Sequence, residues 1–549
     1  MKLLGLSLLA LASQAGLSVA ESLVREPHFW SPKNIYISVL VPGASHTTWV
    51  LEIGQKLAAR GHNVTFIGKD DGAKIAQSYR GMNVLSLGAP NEFHSDEDMR
   101  QFSDRPQSAL ESTKLYFQAL NAGFRKDYLR FGELIKASRP DLMICDVLTD
   151  SCMRSADERG IPYAITSTVA AFPDATAPFM NSVFSSEPTT ERQSIWTRFY
   201  NTYVAGMLLI PHLGPVFEEF TSIREELGIS SAKEVFAPKV KESVKLINNF
   251  YGLEIARAIG PLIKFVGPIM PSSYPEMDAA TSDFLTLHQK IVYAAFGHHI
   301  IPTAQEFEKV LVSLIDSVED GTVDGFLWAT VQMSDFPEKI VTSKGTQLNV
   351  TEILQNPQKY PHYKFVKWAP QFAILSHSST ALFMTHGGAN SIFESLYTGQ
   401  KMLIHPYLAD QPANGQIMAD AGVALVNNRY KVASKDIAEK IRTLVQDKDG
   451  FFADNLRRMS ALAQLQSIDA VDRAAAAVEE ILFTSKGDSL PHLIPPSSKM
   501  TYLKANNIDI QILLATCVVS VVALALGFVY MLIRAALTLF GKAKKSKVE

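Results

Sequence analysis

Along most of the chain, short apolar runs alternate with stretches in which apolar residues recur at three- and four-residue spacing. Residues 35–41 form the first run. Trp49, Ile53 and Leu57 then follow a helical period until Gly61 stops it, and residues 64–67 open a second run. That order predicts a strand–helix–strand unit. Residues 142–147, 161–166 and 244–248 read as further buried strands of the same half. The pattern then lapses into "VGPIMPSSYPEMDAATSDFLTLH", residues 266–288, whose Pro, Ser and Asp content is that of a linker. Beyond it the alternation restarts, with strands at 291–296, 326–329, 363–366, 381–384 and 402–404 and a capping box, Thr303-x-x-Glu306, opening a helix. Strands separated by helices imply parallel sheets covered on both faces. The expected fold class is therefore α/β, with two such domains, 21–265 and 289–485, facing a cleft at the carboxyl ends of their strands.

The two ends differ from the middle. Residues 1–20 carry Lys2, an apolar run and the small-x-small sequence Ser18-Val19-Ala20, the pattern of a secretory signal peptide. Residues 512–533 are uncharged and long enough to cross a bilayer, and a basic tail, 534–549, follows them after a juxtamembrane segment, 486–511. Together these predict a single-span type I membrane protein with its bulk in the lumen. Lys545 and Lys547 sit where a dilysine retrieval signal would place them, which points to the endoplasmic reticulum membrane. Residues 197–217 are apolar but interrupted; they fit either buried helices or a segment lying on a bilayer surface, and burial is the expectation taken here.

A formal net charge of -3 argues against a nucleic-acid surface. Of three cysteines, Cys517 falls in the predicted span, and Cys145 and Cys152 are compatible with either a disulfide or free thiols. A disulfide scaffold and a zinc site are both excluded by that count. An adhesion receptor would need β-sandwich periodicity and paired cysteines, and neither is present.

Candidate chemistry concentrates in "MTHGGANSIFE", residues 384–394. A capping box, Ser391-x-x-Glu394, would account for two of its polar residues. His386, Gly388 and Asn390 are left over. Glycines admit a ligand close to the backbone, and the amides of a helix N-terminus attract anions, so a diphosphate fits the turn. The turn is too short for a Walker loop, and the first strand's turn, residues 41–45, lacks the remaining glycines of a dinucleotide fingerprint.

Reading outward, Trp368-Ala369-Pro370-Gln371 leads through His377 to His386-Gly387-Gly388-x-Asn390-Ser391, Glu394, Gly399 and His405-Pro406-x-x-x-Asp410-Gln411. This series resembles the signature of the UDP-glycosyltransferases, membrane-anchored enzymes of the GT-B fold with two Rossmann-like domains. The resemblance implies that Trp368 stacks on uracil with Gln371 beside the nucleoside, and that Glu394 accepts from the ribose hydroxyls. It further implies that His386, Gly388, Asn390 and Ser391 meet the diphosphate, and that Asp410 and Gln411 hold the sugar. One departure stands out: the family usually has Phe-Gly-Ser after this half's first strand, and here the residues are Phe296-Gly297-His298-His299. His298 would then take over the serine's contact with the donor phosphates as a longer, titratable donor.

The resemblance also assigns His46, in "GASHTTW", as the base that deprotonates the acceptor, and an aspartate that orients it. Asp146 matches that place better than Asp150. Inverting transfer of a hexosyl group from a UDP-sugar to the hydroxyl of a small lipophilic acceptor follows, with the UDP-sugar as co-substrate and no metal or other cofactor. Asp447-Lys448-Asp449 is the Asp-x-Asp triplet that a metal-dependent transferase would need, but it lies in a polar stretch and reads as a solvated loop. The competing class is a catalytically silent relative serving as a binding or partner subunit, for which His298 is the support. Donor sugar, acceptor and oligomeric state stay open. Asn349-Val350-Thr351 is a glycosylation acceptor sequence in a polar loop, whereas Asn63-Val64-Thr65 begins a predicted buried strand and is expected to be unmodified.

Overall fold

In the first half, strands β1 (Asn34–Val39), β2 (Asn63–Gly68), β3 (Met82–Ser86), β4 (Leu142–Asp146), β5 (Tyr163–Ser167), β6 (Val244–Ile247) and β7 (Ile263–Phe265) form one sheet in the order β3-β2-β1-β4-β5-β6-β7. Every pairing in it is parallel. The second half contains β8 (Ile291–Ala295), β9 (Gly325–Ala329), a small antiparallel hairpin of β10 (Lys339–Val341) and β11 (Gln347–Asn349), then β12 (Tyr363–Val366), β13 (Thr380–Thr385), β14 (Met402–Ile404) and β15 (Ala424–Val426). Its parallel sheet runs β12-β9-β8-β13-β14-β15. The computed structural model behind this description covers residues 30–545 apart from 42, 92–113, 115–116, 119–120, 184, 298–299 and 332–335. The expected signal peptide lies outside the described residues.

Alternation along a strand shows why both sheet faces are covered. Ile291, Tyr293 and Ala295 of β8 enter one apolar cluster, and Val292, Ala294 and the following Phe296 enter the other. In the first half α1 (Ala44–Ala59) buries Trp49, Val50, Leu51, Ile53 and Leu57. The apolar spacing read from Trp49, Ile53 and Leu57 is thus the core stripe of that helix.

The sheets are covered and joined by helices that include α2 (Asp150–Asp157), α3 (Ala205–Glu226), α4 (Ala304–Glu319), α5 (Ala389–Thr398), α6 (Gln411–Asp420), α7 (Phe451–Ser467) and α8 (Ala470–Thr484). Thr303 caps α4 as expected, its side chain accepting from the Glu306 amide. α8 comes late in the chain yet packs on α1 of the first half. Arg60 bonds Asp472 at 2.7 Å and Glu479 at 2.5 Å, and Lys56 reaches Asp472 at 2.9 Å, so the two halves are tied by ion pairs behind the cleft. The linker read at 266–288 is partly helical: Ala279–Leu287 begins at Asp278, whose carboxylate accepts from the Thr281 amide at 2.7 Å.

Four local expectations are corrected. The first strand stops at Val39 because Gly43, with a φ of 98°, turns the chain into α1. Residues 197–217 are not uniformly buried: Leu213 and Val216 are, but the aromatic stretch before them is exposed. Asp447 is no solvated loop residue, for its carboxylate accepts from the amides of Phe452 and Ala453 at 3.0 and 2.8 Å and opens α7. Asn63 is exposed at the start of β2 rather than buried, bonded to Asn34 and Asn83.

Residues 491–549 form a separate compact unit. Within it α9 (Ile508–Lys545) holds an apolar stretch, Ile508–Leu539, of mean hydropathy 2.8, long and apolar enough to cross a membrane.

Candidate active site

Parallel pairing of β1 with β4 puts the chain leaving β1 beside the last residue of β4. This is where the order of the sheet reverses, and crevices open at such points. His46 lies in the first turn of α1 just beyond β1, and Asp146 ends β4. Their side chains meet, His46 Nδ1 to Asp146 Oδ2, at 2.8 Å. Asp146 is fully buried, whereas the His46 side chain keeps 24% of its surface exposed. The second carboxylate oxygen accepts from the Leu148 amide at 3.0 Å, which fixes the carboxylate in the turn. An ionised carboxylate has no proton to give, so Nδ1 carries the hydrogen and Nε2 presents its lone pair. Burial alone would lower the His46 pKa; the charge and hydrogen bond of Asp146, with a contribution from Asp410, outweigh it and leave the pKa raised.

The second sheet reverses between β8 and β13, and the remaining candidates gather there. Gly387 has a φ of 86°, and a Cβ on it would lie 2.8 Å from the Ile404 side chain, so only glycine makes this turn. The His386 ring fills the space over two other glycines: a Cβ would come within 3.0 Å of its Nε2 from Gly297 and 2.5 Å from Gly388. Gly388 is the N-cap of α5 and has no side chain to cap it. The first amides of α5 are thereby left facing the cleft, as an anion site requires. The capping box expected of Ser391 and Glu394 does not form, because the helix starts at Ala389 and Ser391 already lies inside it.

Instead, Gln371 gathers both residues. Its Nε2 donates to Glu394 Oε2 at 2.7 Å and to Ser391 Oγ at 3.2 Å, while its carbonyl oxygen accepts from the Tyr293 hydroxyl at 3.5 Å. Burial pushes the Glu394 carboxyl up to about 7 against the lowering effect of Gln371. Trp368 stands at the rim with 52% of its surface exposed. A large aromatic face left open next to hydrogen-bonding groups is costly in a monomer and useful to a planar ring ligand.

Asp410 and Gln411 open α6. The Asp410 carboxyl accepts from Asn414 Nδ2 at 2.8 Å and interacts electrostatically with His46 across the cleft; burial raises its pKa. Gln411 is buried and its carbonyl oxygen accepts from the amides of Tyr407 and Leu408 at 2.8 and 3.0 Å, which leaves its NH₂ group as the one to face a ligand. His405, part of the same motif, is structural: burial and the nearby Arg429 push its pKa down to about 3, so it stays neutral beside Tyr407 and Phe296. His298 lies outside the described residues. A pocket at the cleft is walled by Val169, Met180, Leu253 and Ile255 of the first half and by Asp410 and Asn414 of the second.

A family model for UDP-glucoronosyl and UDP-glucosyl transferase matches residues 207–545. The chain belongs to that family. Among curated relatives, a UDP-glycosyltransferase of Talaromyces amestolkiae is 28% identical over 486 residues, 84% of this chain and 91% of that one. UDP-glucuronosyltransferase 2B33 of Macaca mulatta is 23% identical over 519 residues, covering 88% and 91%. Among solved structures, the kitacinnamycin glycotransferase superposes with a TM-score of 0.56 at 18% identity, over 82% of this chain and 99% of that one. Phytolacca americana UGT2, solved with UDP-2fluoro-glucose and pterostilbene, gives 0.53 at 18% identity, over 82% and 100%. The fold of the transferase is thus GT-B, and its chemistry is sugar transfer from a UDP-sugar.

Three features of the transferase's cleft had no signal strong enough to read in the sequence. Asn390 Nδ2 donates to the backbone carbonyl of Ser45 at 3.3 Å, so the start of α5 touches the residue before His46 across the cleft. Cys145 and Cys152 form a disulfide, resolving the open choice between bond and thiols. The loop it closes contains Asp146. The first-half wall residues of the pocket, Val169, Met180, Leu253 and Ile255, come from irregular segments, where no periodicity marks them.

Proposed function

We propose that the transferase inverts the anomeric centre of a UDP-sugar, with His46 as the general base and Asp146 as its positioning residue. The observation that carries this reading is the 2.8 Å His46–Asp146 bond set opposite Asp410 and the uncapped start of α5. An acceptor hydroxyl in the pocket gives its proton to His46 Nε2 while its oxygen attacks the anomeric carbon. The bond from that carbon to the UDP oxygen breaks on the opposite face, and UDP leaves with the electron pair. His386, Asn390, Ser391 and the α5 amides meet the diphosphate charge, Glu394 and Gln371 the ribose, Trp368 the uracil, and Asp410 with Gln411 the sugar hydroxyls. The scheme uses the UDP-sugar as its co-substrate and no metal ion.

The pocket's apolar wall and the membrane-spanning helix support a small lipophilic acceptor of sterol, lipid or xenobiotic type. The same helix, with the basic residues after it, supports a type I protein of the endoplasmic reticulum membrane with lumenal catalytic domains. UDP release by microsomes carrying the chain is the direct test, with UDP-glucose, UDP-glucuronic acid and UDP-N-acetylglucosamine each offered to lipophilic alcohols and phenols. Turnover that His46→Ala loses while still binding UDP bears the mechanism out. Turnover unchanged by that substitution removes His46 as base, and UDP binding without turnover from any pair favours a silent binding subunit.

A further inference from the structure

The exposed aromatic stretch is the part of the catalytic unit that the mechanism leaves unused. A short helix, Ile195–Phe199, runs through a π-turn, Tyr200–Val204, into α3. Ile195 is 67% exposed, Trp196 78%, Tyr203 62% and Met207 61%, with Phe199, Tyr200 and Leu208 also about half open or more. A soluble surface scatters such residues singly; here they crowd into about four helical turns. Between Arg192 and Phe217 the sequence contains no acidic residue, and Arg198 lies among the aromatic positions, whereas Arg192, before them, pairs with Asp420 at 3.5 Å.

We infer that residues 195–208 lie in the headgroup region of a phospholipid bilayer, and that this face delivers membrane-dissolved acceptors to the cleft. Trp and Tyr favour that region because an apolar ring and a polar edge are satisfied together there, and Arg198, with no acidic residue near it along the chain, suits lipid phosphates. The occupant is a bilayer because the same chain holds a helix fit to span one, which keeps the catalytic unit at a membrane whenever that helix is inserted. The patch is also joined to the acceptor pocket. Met180, in the pocket wall, bridges to Thr189; Asn181 donates to the carbonyls of Glu187 and Thr189, and the Thr190 amide donates to Phe179. This folded turn leads directly to Ser194, whose hydroxyl caps the aromatic helix at 3.1 Å. The segment that carries Trp196 is therefore continuous with the wall of the pocket through this turn.

The delivery step rests on the lipophilic acceptor proposed above; the docking does not. The chain has five tryptophans, none of them in the spanning helix, so their fluorescence reports only on the catalytic unit. The full chain is reconstituted in phosphatidylcholine–phosphatidylserine vesicles with acyl chains brominated near the headgroup, alongside Trp196→Phe. The expected result is strong quenching of an emission component that Trp196→Phe lacks. Equal quenching of both proteins overturns the docking, as does a Trp196 component protected by association of two copies through this face. In the same vesicles, combined Trp196→Ser, Phe199→Ser and Tyr203→Ser raises KM for a bilayer-dissolved acceptor about tenfold, in proportion to lost apolar anchoring. KM for a water-soluble acceptor and the Kd for UDP stay unchanged. A KM that rises equally for both acceptors sinks the delivery role. Lipid quenching of Trp196 with no turnover of any lipophilic acceptor supports the docking and overturns the acceptor class instead.

Discussion

The two halves of the cleft prepare for the reaction in opposite ways. In the first half His46 already has its partner, Asp146 is buried, and the carboxylate's other oxygen is bonded to the backbone. In the second half the groups are held but incomplete: Trp368 is exposed, the start of α5 is uncapped, and Glu394 is half-buried, its pKa pushed up to about 7 by desolvation. A base can be finished in advance because its orienting group is protein. A nucleotide site has to leave its own best hydrogen bonds unmade until the ligand supplies them, so it carries the strain of burial alone.

The largest effect that tests this contrast is on the finished half. His46→Ala is expected to lower kcat about 10³-fold, within the range of a general base, with the Kd for UDP unchanged by calorimetry. A parallel loss of UDP binding means that the two halves are not separate in function. Asp146→Asn comes next, at about 10²-fold in kcat, since an orienting carboxylate acts through the imidazole rather than on substrate. Its pH profile distinguishes orientation from mere destabilisation. The base works unprotonated and its pKa is raised, so the wild-type rate climbs with pH and levels off only above the ordinary histidine value. Removing the Asp146 charge removes the main raising influence, and the acid limb moves to lower pH. A limb that stays in place shows that Asp146 does not set the His46 proton affinity.

For the unfinished half the informative residue is Glu394. Ribose hydroxyls donate to the ionised carboxylate, yet the free protein favours the protonated form up to about pH 7. UDP must therefore expel a proton as the pH falls, and its affinity drops through pH 7, approaching tenfold weaker for each unit below. Glu394→Gln flattens that dependence and weakens binding about tenfold at pH 8, where the wild type is ionised. The linkage has the opposite sign for stability. A carboxyl whose folded pKa lies above its unfolded one stabilises the fold at low pH and loses that contribution as pH rises through 7. Glu394→Gln should thus raise Tm above pH 7 while it costs affinity. A lower Tm there would mean that the carboxylate is satisfied without ligand and that the contrast between the halves is overstated.

How much of this could be read beforehand differs between the halves for a physical reason. The donor residues from Trp368 to Gln411 belong to consecutive strand–turn–helix units, so spacing along the chain reproduces their spacing in the cleft. His46 and Asp146 are separated by 100 positions and joined only by β1–β4 pairing, which the strand pattern predicts as class but not as contact. Strands β3, β7, β10, β11 and β15 are not legible in the sequence: β3 is a half-exposed edge, and the others are three residues long with at most one of them buried, whereas the equally short β14 is buried throughout. Apolar composition at 197–217 suggested burial because it measures hydrophobicity, not whether a neighbour exists to cover it.

The smallest expected effect concerns what holds the finished half in shape. The Cys145–Cys152 bridge closes the loop that carries Asp146, and both cysteines are fully buried. The same loop is pinned without it: the Thr149 amide donates to the Asp146 carbonyl at 2.8 Å, the Leu40 amide to the Thr149 hydroxyl at 3.2 Å, and Arg224 to Asp150 at 2.8 Å. A bridge spanning so few residues removes little loop entropy from the unfolded chain, so most of the turn's geometry should survive its loss. Combined Cys145→Ser and Cys152→Ala is therefore expected to lower kcat only about threefold, with UDP affinity and the position of the pH limb unchanged. A fall as deep as that of Asp146→Asn, together with a shifted limb, would mean that the disulfide rather than the hydrogen-bonded turn positions the carboxylate. In that case the readiness of the first half would depend on the redox state of its compartment, while the second half, which holds no cysteine before the spanning helix, would not share that dependence.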